Sequence, residues 1–463
     1  MVGLVGHGGA QLLRLISNLV LARLLFPEAF GIMAIVYLVI FAAEQVANFG
    51  IQPAILRSEG AEAPRFLDTA WMIQLIRGVA LWLVCVATAP FVAAFYRKPE
   101  LAAILPVASF ACVLMGVTST KLILLTRRLD LTRRVAIELA GQVVALTTMI
   151  AIAYHRPSVW ALVIGGLANQ ATIALLSHLA IPGPRHRFVW DRDAARSIAS
   201  IGKWVVASSG LSFVLGQLDI ALLGRLVSPT VLGVYSLGLI IPNLLRDVSF
   251  RLSNQVLAPA IAESAREGDV TLQRRYSAAR RLTLPATLLM ALAAAMLAPA
   301  FFGFLYDERY HDAGWITQLA LLRFWFAYLQ VSACLTLLSM GRARTWVVSN
   351  LVGIAGVAAG CLLGFELAGL PGLIVGSALG MAASFVVPAL ELARLGVATP
   401  RLEAGFTVLG ACLAALALGA GYLSARVIPI GDPSLHTLGA GLVTIAPLAF
   451  WLARRGAREL RIS

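Results

Sequence analysis

Apolar residues run through this chain in stretches of about twenty, the length a helix needs to cross the hydrocarbon of a bilayer, with short polar connections between them. The stretches predict helices at about 5–25, 30–50, 70–95, 101–123, 135–154, 158–181, 201–223, 231–252, 283–305, 314–338, 345–366, 370–392, 404–425 and 436–453. The expected fold class is therefore an all-α polytopic membrane protein of about 14 transmembrane helices. The longest polar stretch, 258–281, is too short to bury a core of its own, which excludes a sizeable soluble domain on either face. Residues 1–10 lack a basic region and read as the start of the first helix, not as a cleaved signal.

Composition sharpens that picture. Of 463 residues, 59% are hydrophobic and 13% charged, and the mean hydropathy is +0.85. Soluble domains carry about a quarter charged residues, twice this share. Cys85, Cys112, Cys334, Cys361 and Cys412 all lie within apolar runs without paired spacing, as small buried hydrophobes do. The net charge of +14 does not indicate nucleic acid, because the cations are scattered between apolar segments. They alternate by side: 25 of the 37 Lys and Arg fall in one set of connections, 7 in the other and 5 within helices. The positive-inside rule then puts both termini in the cytoplasm, as an even helix count requires.

The chain also repeats. Arg23-Leu24-x-x-Pro27-x-x-x-Gly31 joins the first and second expected helices, and Arg225-Leu226-x-x-Pro229-x-x-x-Gly233 joins the seventh and eighth, at a constant offset of 202 residues. Proline opens the second helix of each pair, and glycine lets something pack closely behind it. Six helices separate the copies, so the two halves enter the membrane in the same direction, an arrangement found in transporters. The division expected is an N-lobe at 1–190, a C-lobe at 191–395 and two further helices with a tail at 396–463.

Charged groups inside a bilayer are costly and usually face a cavity or a partner. In the first helix His7, Gln11, Arg14 and Asn18 share one face. Arg14 lies near mid-span, aimed into a water-filled cavity or tied to a neighbouring carboxylate. The second helix carries Glu44, Gln45, Asn48 and Gln52 in its inner half; the eighth carries Asn243, Arg246, Asp247 and Asn254. The repeat offset maps Glu44 onto Arg246, which suggests a pair across a cleft, the alternative being two snorkelling residues. The seventh helix adds Ser208, Ser212 and Asp219, with Lys203 snorkelling at its inner end. Asp219 pairs with Arg14, binds a coupling cation or caps a polar rim. Arg77 and Arg323 complete an interior in which cations outnumber acids, and guanidinium suits an anion such as phosphate. The basic residues of 258–281, among them Arg274, Arg275, Tyr276, Arg280 and Arg281, suit anionic headgroups and need no binding role.

No catalytic constellation is evident. The histidines are far apart in sequence and topology, and no phosphate-binding loop or nucleophile elbow occurs. No enzyme activity, metal or cofactor is expected. Gly353, Gly356 and Gly360, and Gly369, Gly372, Gly376 and Gly380, have helix-packing spacings.

The runs LVLARLLFPEAFGIMAIV (Leu19 to Val36), NFGIQPAILR (Asn48 to Arg57) and LDIALLGRLVSPTVLGVYSLG (Leu218 to Gly238), with Tyr276, Arg280 and Pro285 further on, resemble the bacterial polysaccharide-transporter family. These are the Wzx-type flippases of the multidrug/oligosaccharidyl-lipid/polysaccharide exporter superfamily. The resemblance implies a two-lobed bundle in the bacterial inner membrane, open alternately to each side. Its substrate would be a polyprenyl-diphosphate-linked oligosaccharide, moved outward for O-antigen, capsule or exopolysaccharide assembly. Membrane lipids, and a polysaccharide polymerase or export machinery, would be its neighbours. Arg14 and Arg246 match the family's functional cavity cations, with Arg323 and Arg77 as further cations and Gln11, Asn18, Glu44, Asn48, Asp219 and Asn243 as polar or gating positions. The alternative is a cation-coupled drug antiporter of the same superfamily, which would want acidic cavity residues.

Overall fold

The computed structural model describes residues 2–46, 51–57, 63–128, 130–183, 186–253 and 269–427. The expected helix at 436–453, and Asn48 and Asn254, lie outside them. The chain divides into two compact units, Met1–Gly233 and Val234–Ser463. Every regular element among the described residues is a helix. This is the outcome hydrocarbon imposes on an apolar chain, since each backbone N–H and C=O must be satisfied within its own segment.

The first unit holds α1 (Val2–Leu24), α2 (Pro27–Val46), α3 (Ile51–Arg57), α4 (Pro64–Tyr96), α5 (Leu101–Ala108), α6 (Phe110–Val117), α7 (Lys121–Arg127), α8 (Leu131–His155), α9 (Val159–Leu179) and α10 (Arg192–Leu226). Then α11 (Pro229–Gly238) crosses the division. The second unit continues with α12 (Ile240–Leu252), α13 (Asp269–Leu305), a 3-10 turn (Glu308–Tyr310), α14 (Ala313–Ser339), α15 (Ala343–Arg394) and α16 (Pro400–Val427). Among the described residues, 8 helices are long and apolar enough to cross a membrane, or 9 if a bent pair counts as one span. Their exposed faces carry Phe91, Leu367 and Leu363, which would be an aggregation hazard in water and are what lipid requires. The chain is a multi-pass membrane protein.

Two expected single helices are broken. The stretch at 101–123 is α5 and α6 followed by α7, with a bend of 63° where Thr118 leaves helical geometry at ψ 133. The stretch at 231–252 is α11 and α12, which abut at Leu239.

In the first unit α8 packs along α9, and α4 along α6. A Cβ on Gly78 would lie 2.4 Å from the Cys112 carbonyl oxygen, so α4 and α6 touch backbone to backbone. Asp191 fixes the start of α10 by accepting from the N–H groups of Asp193 and Ala194 at 2.9 and 3.1 Å. The far ends of α4 and α10 cap one another. Lys98 Nζ donates to the Gly224 carbonyl at 2.6 Å, and the Arg225 guanidinium donates to the Phe95 carbonyl while lying 4.8 Å from the Phe95 ring centroid. Each helix terminus thus receives a cation where its unpaired carbonyls and dipole are most negative.

The second unit is built around α14: the most apolar window of its span is 67% buried, against 17% for α8. Leu284, Leu288, Leu292 and Met296 of α13 pack there against Trp325, Tyr328 and Leu329. On the other side α15 folds back on itself where Ala368 and Gly369 leave helical geometry, Gly369 at φ 60. Its limbs, 343–367 and 370–394, pair through glycines. A Cβ on Gly360 would meet the Gly376 carbonyl oxygen at 2.1 Å, and one on Gly364 the Gly372 oxygen at 2.1 Å; Gly380 faces Gly356 in the same way. Inside this contact Gln330 Nε2 donates to Ser349 Oγ at 2.9 Å and Asn350 Oδ1 at 3.2 Å. Ser349 and Ser384 each donate to the other's carbonyl, at 2.9 and 2.8 Å.

Gly360→Val should therefore force the limbs of α15 apart and lower the thermal midpoint in detergent sharply, overpacking costing about 1–3 kcal/mol or more where the neighbour is backbone. Gly405→Ala, on α16 with nothing within 4 Å, should leave it unchanged or slightly raised.

Candidate functional site

A charge in an apolar chain ends in one of two ways: neutralised by a partner, or reaching water or a ligand. The candidate residues divide along that line.

In the first unit Arg14, on α1, is exposed, and Asn18, one turn further along, is half-buried. The side chains of His7 and Gln11 on the same face lie outside the described residues. Glu44 and Gln45, near the end of α2, face α4 and α6. The Cys112 Sγ–H points at Glu44 Oε1 at 3.9 Å, and the cation whose charge acts on Glu44 is Arg77 of α4. Glu44, expected to answer Arg246, thus has a counter-charge within its own unit. Arg77 Nε and Gln45 Oε1 are buried without a hydrogen-bond partner among the described residues. Asp219 is buried on α10 and Ser212 exposed; the side chains of Lys203 and Ser208 lie outside the described residues.

In the second unit α12 exposes Asn243, Arg246 and Asp247 and buries Ser249. Arg323 is half-buried on α14, between the buried Leu321 and the buried Phe324 and Trp325. Arg14 and Arg246 are therefore the exposed cations of the set. Arg77 is half-buried on α4, within reach of the charge of Glu44.

Two charged groupings escaped the sequence reading. Arg280, assigned to a basic surface loop, is fully buried in α13. Its guanidinium donates to Glu403 of α16 and, at 2.6 Å, to Ser332 Oγ of α14, and lies 5.7 Å from the Tyr276 ring centroid. Thr399 Oγ1 also donates to Glu403, at 3.2 Å. A pair 123 residues apart thus ties α16 to α13 and α14.

Two of the six histidines, all expected to lie far apart, come together. His178 and His186 approach to 5.8 Å between ring centroids, with Trp71 stacked on His186 at 5.4 Å. Ser119 Oγ lies 2.8 Å from His186 Nε2, and His186 Nδ1 lies 3.2 Å from Asp68 Oδ1. This is the order of groups that hydrolases use, but Ser119 is 1% exposed, which leaves a substrate no approach. The cluster fastens the connection between α9 and α10. Arg187 N–H donates to Asp68 Oδ1 at 3.2 Å, Thr69 Oγ1 to the Val189 carbonyl at 3.2 Å, and Asp191 N–H to Thr69 Oγ1 at 3.0 Å. The direction in which α10 sets off is fixed by Asp68 and Thr69, in the second turn of α4.

A family described as "Polysaccharide biosynthesis protein" matches residues 20–313. The chain is 21% identical over 196 residues to the teichuronic acid biosynthesis protein TuaB of Bacillus subtilis (strain 168), covering 42% of this chain and 40% of that one. It is 22% identical over 304 residues to the lipopolysaccharide biosynthesis protein WzxC of Escherichia coli (strain K12), covering 63% and 60%. The matches thus span less than two thirds of either relative. Among solved structures, the lipid II flippase MurJ in an inward closed conformation superposes with a TM-score of 0.74 over 98% of this chain and 99% of that one, at 11% identity, a likeness of fold.

Two measurements follow. Glu403→Gln should destabilise the protein by about 3–5 kcal/mol by leaving Arg280 buried without its counter-charge, and Arg280→Leu combined with Glu403→Leu should recover much of the loss, both read as thermal midpoints in detergent. Burial holds the His186 imidazole below its ordinary value of 6.5, with Asp68 opposing. The folded ring then binds its proton less readily than the unfolded one, so its contribution is full above 6.5 and is lost as pH falls through the folded value. The drop in midpoint between neutral pH and about pH 5 should shrink in His186→Asn.

Proposed function

The chain belongs to the polysaccharide biosynthesis protein family, and from that premise we propose that it is a flippase for lipid-linked oligosaccharide. Its substrate is a polyprenyl-diphosphate carrying an oligosaccharide repeat unit, moved to the outer leaflet of a bacterial inner membrane for polysaccharide assembly. The observation that carries the reading is the family match over residues 20–313, on a chain whose fold resembles a lipid II flippase along nearly its whole length. The charge distribution agrees. Arg14 and Arg246 are exposed, whereas Glu44 is half-buried within reach of the charge of Arg77.

In this reading the chain spans the membrane about 14 times, with both termini inside. The lobes are 1–190 and 191–395, and 396–463 is an addition to them. The lipid tail stays in the bilayer while the diphosphate crosses beside Arg14 and Arg246, whose guanidinium groups replace water around its oxygens. Arg323 and Arg77 are secondary cations, the latter only when Glu44 releases it. Gln11, Asn18, Asn48, Asp219 and Asn243 meet the sugar or line the path. Rocking of one lobe against the other exposes the site to each side in turn. A polymerase or export machinery takes the product.

The test is transbilayer movement of a polyprenyl-diphosphate oligosaccharide in proteoliposomes. Wild type should move it, and Arg14→Ala and Arg246→Ala, inserted normally, should slow it by about tenfold or more, each tenfold being about 1.4 kcal/mol of barrier. Movement undiminished in both variants would refute the role of the arginines. No movement by wild type, alongside exchange of a cationic drug for protons or sodium, would favour an antiporter.

A further inference from the structure

The two Pro-x-x-x-Gly turns, identified in the sequence as a repeat, are in contact with each other. Pro27 opens α2 and Pro229 opens α11. A Cβ on Gly31 would lie 1.9 Å from the Pro229 carbonyl oxygen and 3.0 Å from the Gly233 nitrogen. Reciprocally, a Cβ on Gly233 would lie 1.8 Å from the Pro27 oxygen and 3.1 Å from the Gly31 nitrogen. The near-identity of the two sets means that the helices cross about a local twofold, with each glycine's Cα under the other helix's first carbonyl. The only side chain that fits is hydrogen, and what joins the helices there is a pair of Cα–H···O contacts and van der Waals attraction.

The crossing has a polar companion. Lys98 reaches the Gly224 carbonyl and Arg225 the Phe95 carbonyl, which fastens the end of α4 to the end of α10. All the groups involved, Gly31, Phe95, Lys98, Gly224, Arg225 and Gly233, lie in the first unit and at the end of the helices that the Lys and Arg bias assigns to the outside. Beneath the crossing Ile35, fully buried, packs against Gly224, where a Cβ would lie 3.3 Å from Ile35 Cγ1 and 2.8 Å from Tyr96 Cε1.

We propose that the two turns are a latch that seals the outer end of the bundle, and that separation of the Gly31–Gly233 crossing, with release of the Lys98–Arg225 clasp, is the step that opens it. At the crossing itself the contact is made of backbone, and it opens without stranding a charge: Lys98 and Arg225 pass from carbonyls to water. An ion pair in its place would leave partners to desolvate at each closure. The inference concerns the gate alone; no substrate enters its test, so it stands or falls separately from the flippase reading.

The experiment places a reporter below the latch. The chain carrying Ile35→Cys is held in lipid nanodiscs and treated with a water-soluble maleimide, and the adduct at position 35 is located by peptide mass spectrometry. Native Cys334, 1% exposed in the second unit, reports on unfolding. With the latch intact, position 35 should label slowly. Adding Gly31→Leu or Gly233→Leu should raise its rate by about tenfold or more through the larger open population, with Cys334 still protected. Lys98→Met with Arg225→Met, which adds no bulk at the crossing, should give a smaller rise. Labelling of position 35 that none of the variants changes would overturn the proposal, as would a rise matched at Cys334, which would mean loss of the fold.

Discussion

A charge transferred from water into hydrocarbon without a partner costs more than a single domain can spare. That cost organises the ionisable residues of this chain. Arg280 is fully buried and donates to Glu403; Asp68 Oδ1 is shared by His186 and the Arg187 amide; Glu44 lies under the influence of Arg77. Lys98 and Arg225 complete helix ends. Against this background Arg14, exposed on α1, and Arg246, exposed on α12, stand apart.

A second constraint shapes the packing. Between helices in lipid no hydrophobic effect favours association, so contact must come from close approach of backbones. The glycine pairs along α15, the Gly78 contact of α4 with α6 and the Gly31–Gly233 crossing meet that demand at three scales: a hairpin within one helix, a helix pair and a junction of repeated turns. The first holds a fixed element. The last joins turns 202 residues apart through Pro27 and Gly31 on one side and Pro229 and Gly233 on the other.

Much of this was legible in the sequence because it is written at short range. Apolar runs marked where the long helices lie, though not the short α3 or the breaks that separate α6 from α7 and α11 from α12, and the break at Gly369 falls between the helices expected at 345–366 and 370–392. Glycines at spacings of three and four marked helix contacts, and the repeat marked the two turns. What the pattern did not carry was partnership at long range. Nothing in the basic run at 274–281 distinguishes the buried Arg280 from its exposed neighbours Arg274 and Arg281; Glu403, its partner, is 123 residues away. His186 and Asp68 are separated by 118 residues, and their meeting depends on how α4, α7 and α9 pack. Glu44 was matched to Arg246 through the repeat offset, yet a counter-charge, Arg77, came from α4 two elements later. Periodicity tells which face of a helix is polar, and only the fold tells what that face meets.

The central claim is that the exposed arginines are there for a lipid-borne diphosphate. The most direct measurement is the thermal midpoint of the purified protein, in one detergent, as a polyprenyl-diphosphate oligosaccharide is titrated in, beside the same titration with the uncharged polyprenol. The account predicts a saturable rise with the diphosphate that weakens as salt is added, and none with the polyprenol beyond its effect as a lipid. Equal rises with both, or no rise with the diphosphate at any concentration, would contradict it.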